Sequence, residues 1–156
     1  RITAKDIIQS GGGHAESTMR LRNALVAAGW KKHTFVVRTS VDGVEREAIS
    51  HEVDHVCRAA NGTLALEIEW NNKDPFFDRD LNNFRLLFEL RAISAGIILT
   101  RCDELQKVFN QLGRGSSYGN STTHMSKLLP RIEGGGGAGC PIIVIGITRM
   151  LYEEDE

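Results

Sequence analysis

Residues 51–70, HEVDHVCRAANGTLALEIEW, decide how the rest of the chain is read. Asn61-Gly62 lies between two runs that alternate apolar and polar residues. Both positions tolerate positive φ, so the pair signals a two-residue hairpin turn. Such a turn pairs Ala60 with Thr63, Val56 with Glu67 and Asp54 with Glu69. Strand side chains alternate with period two, so Asp54, Glu67 and Glu69 share one face. Val53, Cys57, Leu64, Leu66, Ile68 and Trp70 take the other, which reads as the core side and pins the register. Like charges opposed across a ladder are unfavourable. Two carboxylates ~5 Å apart repel by about 3 kcal/mol at an effective dielectric of about 20. A cation or a shared proton offsets that repulsion. A hard divalent ion, Mg²⁺ above all, takes oxygen ligands of this kind.

The 156 residues fit one domain, 1–156, with a core over about 14–147 and an acidic tail at 152–156. A net charge of −1 excludes a global basic field, though not a local basic rim. Cys57, Cys102 and Cys140 are scattered and odd in number. They read as buried thiols in a reducing, cytoplasmic setting rather than a disulfide frame. No apolar run reaches membrane-spanning length and no signal peptide is visible, so no membrane partner is expected.

Around the hairpin the pattern alternates between helix and strand. A short lead-in, Arg1 to Ser10, ends at Gly11-Gly12-Gly13. A helix is expected from about His14 to Ala28, then a strand over 33–39 and a charged turn around Asp42-Gly43. Asp78 or Asp80 is the expected cap of a helix running to about Ala95, with Leu81, Phe84, Leu87, Phe88, Leu90 and Ile93 as its stripe. Residues 96–100, GIILT, and 141–147 read as buried strands. Short helices are expected over 103–112 and from Thr123 to about Ile132. The order implies an α/β sandwich, a mixed central β-sheet with helices on both faces.

A competing motif overlaps the hairpin. His51-Glu-Val-Asp-His55 matches HExxH, which on a helix binds zinc through both histidines. In a strand those histidines lie ~13 Å apart, too far to share one ion. The alternation downstream favours the strand.

Asp54, then Glu67-Ile68-Glu69, then DRDLNNFRLLFE (78–89), GIILTR (96–101) and YGNSTTH (118–124) resemble the PD-(D/E)XK nuclease superfamily. Within it the chain is most similar to BglII- and BamHI-type type II restriction endonucleases. The resemblance implies a restriction-endonuclease-like sandwich and Mg²⁺-dependent hydrolysis of double-stranded DNA by a homodimer. It makes Asp54, Glu67 and Glu69 the catalytic acids. Asp54, Glu67 and the Ile68 carbonyl would hold one or two Mg²⁺ ions, with Glu16 as a fourth carboxylate candidate. Most of the superfamily carries Lys where Glu69 stands; the BamHI type has Glu and the BglII type Gln. The general base therefore stays open.

The resembled enzymes read bases from a loop placed like 113–124. Asn120, Ser121 and Thr122 are thus candidates for base contacts. Arg114, Lys127, Arg131 and Lys73 are candidates for phosphates, with Arg79 and Arg85 also flanking the hairpin. A twofold dimer would match a palindromic site, and the helix from Asp78 is one candidate for its interface. Two alternatives remain at this stage: a structure-specific repair or resolvase-type nuclease, and a DNA-binding module without catalysis.

Overall fold

In a computed structural model, the structure describes residues 1–9, 15–47 and 51–154, with the backbone alone at 46 and 47. The expected Gly11–Gly13 break, the helix start at His14 and the last two tail residues lie outside this set.

Five strands form one mixed sheet. β2 (Lys31–Phe35), β5 (His51–Ala59) and β6 (Gly62–Glu69) are antiparallel neighbours; β7 (Ala95–Arg101) and β8 (Ile142–Ile147) follow in parallel. β6 is thus the seam between the two pairing modes. Residues 38–47 form a separate ribbon, β3 (Arg38–Val41) with β4 (Val44–Glu47), where only a charged turn was expected. Asp42 and Gly43 both take positive φ at its tip, as a tight hairpin turn requires. β1 (Ile2–Thr3) pairs in parallel with β9 (Tyr152–Glu153).

Helices cover both faces. α3 (Pro75–Glu89) and α5 (Met125–Glu133) pack Phe77, Leu81, Phe84, Leu87 and Leu128 against Val56, Ala65 and Ile98. On the opposite face, α1 (Ala4–Ile8), α2 (Glu16–Ala27) and α4 (Leu105–Gln111) meet Leu66, Ile68, Trp70, Ile97 and Leu99. α3 begins at Pro75, whose missing N–H costs nothing in the first turn. Asp78 and Asp80 are consequently inside the helix and not its cap. Gly96 lets the Phe84 ring lie directly on β7, because a Cβ there would overlap the ring.

The hairpin register differs from the expected one by two residues. Ala59 faces Gly62, Cys57 faces Leu64 and His55 faces Leu66, so Ala60 and Asn61 make the turn. Gly62 opens β6 under Ser94, leaving no room for a Cβ. A slip of two preserves parity, so Glu67 and Glu69 keep the face shared with Ala65. β5 itself is irregular. Lys31 faces Val56 while His33 faces Val53. Lys32 alone therefore spans Asp54 and His55, which makes a β-bulge. The bulge places Val53 in the α3-side core beside Val56, not with Leu66 and Ile68 as strict alternation implied. His55 instead is buried opposite Leu66.

Candidate active site

The bulge and the C-terminal half of β6 meet at one recess. A cavity of about 240 Å³ is lined by Asp54, Glu67, Ile68 and Glu69 together with Arg22, Asn72 and Arg79. A second, of about 390 Å³, shares Asp54, Glu67 and Arg79 and adds His51, Glu52 and Asn83. The three acids read from the hairpin therefore border a common space. Bulges next to such sites re-aim a side chain, and here Asp54 is one of the two bulged residues, with His55.

Two arginines and one amide reach these acids. Arg22 of α2 lies 3.1 Å from Asp54 Oδ2. Arg79 sets its guanidinium 2.7 Å from Asp80 Oδ1 and 3.4 Å from Glu69 Oε1. Asn72 Nδ2 donates to Glu69 Oε2 at 2.8 Å. Asp80 is fully buried, and its Oδ2 receives no N–H or hydroxyl hydrogen bond. Among the described residues no three His, Cys, Asp or Glu side chains are already gathered around an ion-sized space. Ion pairs hold Asp54 toward Arg22 and Asp80 toward Arg79.

Burial dominates the proton affinities. It pushes the Glu67 carboxyl up to about 8, assisted by the charges of Asp80 and Asp54 and opposed by Arg79 and a hydrogen bond from the Asp54 backbone. Burial and Asp80 also push Glu69 up, and burial raises Asp80. A hydrogen bond joins Glu69 to Asp80. A proton carried by Glu69 and directed at Asp80 relieves the repulsion between them.

The other sequence-derived candidates are scattered. Glu16 pairs with Lys5 at 3.5 Å and Arg20 at 4.0 Å and lines neither cavity. His51 and His55 sit in β5, so the zinc motif has no helix to stand on; His51 Nδ1 lies 2.7 Å from Asn83. Asn120 and Ser121 are exposed. Thr122 is buried, donating to the Gly119 carbonyl at 2.7 Å and accepting from Arg101 at 3.1 Å. Lys73 bridges to Thr122 by backbone. Lys127 lies 3.8 Å from Asp74, and Arg114 binds the Ile8 carbonyl. Arg131 pairs with Asp78 and Arg85 with Glu89.

Arg22 and Asn72 were not singled out from the sequence, and Asp80 entered only as a helix-cap candidate. Asp80 carried a signal: it falls on the helical stripe of Phe77, Leu81, Phe84 and Leu87. A carboxylate on a core-facing stripe needs a partner.

The profile of the family described as "Restriction endonuclease BglII/BglIII" matches residues 1–147. The chain belongs to this family. The match spans the whole sheet and all of the acids described above. No individual curated protein matches the sequence.

Proposed function

We propose that the protein is a Mg²⁺-dependent endonuclease that hydrolyses phosphodiester bonds in double-stranded DNA at specific sequences, a type II restriction enzyme. The supporting observation is the recess that gathers Asp54, Glu67 and Glu69 in a chain of this family. The donor set is all oxygen, as a hard cation requires. Burial leaves Glu67 and Glu69 short of compensating charge, and Asp80 Oδ2 meets no N–H or hydroxyl donor, its one available proton being that of Glu69. These residues fit a divalent ion.

Asp54, Glu67 and the Ile68 carbonyl would hold the ion. When bound, Mg²⁺ supplies charge neutralisation at phosphorus and lowers the proton affinity of a nearby water. Glu69, once ionised, orients that water and accepts its proton. Asn72 fixes the Glu69 carboxyl, and Asp80 takes part of the proton load. Arg79 stays clamped to Asp80 through Nε and Nη2. Its half-exposed fork offers the remaining donors to a phosphate oxygen. We take the active form to be a homodimer on a palindromic site.

Digesting mixed plasmid DNA with Mg²⁺ or EDTA, and sequencing the ends, tests this. Discrete fragments with Mg²⁺ alone, lost in Glu67→Ala, are expected. Cutting restricted to branched or damaged DNA would move the assignment to a structure-specific nuclease. Duplex binding without cleavage by either protein would leave a binding module.

A further inference from the structure

A third hollow lies further along β5 from the acidic recess and is of opposite sign. It encloses about 380 Å³ and is lined by Gly29, Lys31, Lys32, His33, Val56 and Arg58. Every titratable group in that lining is basic. In a chain with net charge −1, such a concentration is local and not a by-product of composition. The hollow is also built. Arg58 Nη2 lies 3.1 Å from His33 Nε2, so the imidazole accepts and the guanidinium is held in place. The His33 ring is braced edge-on by Phe35 at 4.5 Å. Lys32 is tied to Glu52 at 2.6 Å, and Glu52 lines the neighbouring acidic cavity. Of the four basic side chains, only Lys32 has a carboxylate partner among the described residues.

β5 connects the two hollows. Asp54 borders the recess; Val56 and Arg58, two and four residues on, border the basic hollow. Four strand residues span ~13 Å. Along one DNA strand a phosphate recurs every ~3.4 Å of axis, so ~13 Å reaches a few nucleotides beyond the cut bond.

We propose that Lys31, His33 and Arg58, with Lys32 at the rim, form a phosphate-binding site that grips the backbone of the DNA strand a few nucleotides from the scissile linkage. It rests on the reading of the recess as a DNA-cleaving site. A guanidinium and an ammonium facing one space suit a phosphate's several acceptor oxygens. Contacts of this kind position the duplex and carry no base information.

The test is duplex binding in EDTA, read by fluorescence anisotropy over a salt series, for wild type, Lys31→Ala/Arg58→Ala and Lys31→Arg/Arg58→Lys. Each lost phosphate contact lowers the salt slope by about 0.9, which is about eightfold in affinity at 0.1 M salt relative to 1 M. The alanine pair is expected to lose a slope of about 2, equally on cognate and random duplexes, while the charge-preserving pair keeps it. Both positions are exposed, and an unchanged melting temperature excludes misfolding. An unaltered slope in the alanine pair overturns the proposal. So does stabilisation by inorganic phosphate that vanishes in that pair while DNA binding persists, since the hollow would then serve a free anion. Wild-type protein that neither cuts nor binds DNA would instead overturn the nuclease reading.

Discussion

Raising the pH in the absence of metal should weaken the fold, and Glu67→Gln should remove much of that weakening. Glu67 holds its proton more tightly folded than unfolded, at about 8 against an ordinary 4.5. The native state then binds more protons, so its advantage is complete below the unfolded value and is lost as pH rises through the folded one. At about 1.4 kcal/mol per pH unit, the displacement sets a ceiling of about 5 kcal/mol. Water entering an open recess, and re-pairing with Arg79, reduce it to about 2–4 kcal/mol. For a chain of this size that is about 5–15 °C in melting temperature. The assay is thermal unfolding in EDTA between about pH 5 and pH 9, wild type against Glu67→Gln. Wild type should fall steeply toward alkaline pH, and the variant should fall less and melt higher there. Near the acid end the two should nearly coincide. Parallel curves, or a wild type that gains stability as pH rises, would refute the placement of Glu67 as a buried acid without a resident counter-charge.

Asp80→Asn should lower the proton affinity of Glu69 by removing a negative neighbour, and so shift the rising limb of the cleavage pH profile about one unit toward acid; kcat/KM against pH checks it, and an unmoved limb speaks against proton sharing. Mg²⁺ at about ten times its Kd should stabilise wild type by about 1.4 kcal/mol, an effect read by calorimetry and absent in Asp54→Asn. Gly96→Ala should cost about 1–3 kcal/mol in urea titration, because the Phe84 ring must leave its place on β7. Arg101 is fully buried, with one Nη serving Gln106, the Tyr118 carbonyl and Thr122. Arg101→Met should therefore speed proteolysis within 113–121 by about tenfold or more, as a loss of about 2 kcal/mol in local closure implies.

The faces of β6 were legible in the sequence; the hairpin's register and the side taken by Val53 were not. Alternation assigns a side chain to a side of the sheet, and a slip of two residues leaves every assignment intact. The choice between Asn61-Gly62 and Ala60-Asn61 as the turn depended on Ser94, which arrives over Gly62 from the far end of α3. The bulge at Asp54 was hidden because it is defined by an edge partner, β2, whose own start lay two residues before the expected one. β7 and β8 were plain from their apolar runs, but only β7 is buried; β8, expected as a buried strand, is the outer strand of the sheet and leaves Ile143 and Ile145 exposed. The recess was half visible. Its strand acids follow a local pattern, whereas Asp80, Arg79 and Arg22 come from two helices that meet only in the folded molecule. Lys31 to His33 and Arg58 lie 25 or more positions apart in sequence, and only the pairing of β2 with β5 joins them.

The parallel pairing of Ile2 with Tyr152 also has a practical side. It brings the outer segments of the chain to one corner, with Arg1 against Glu153 at 3.1 Å. A cut in the exposed Asp42-Gly43 turn would leave β1 and β2 on one fragment, still paired with β9 and β5 of the other, so the two pieces should stay associated after cleavage.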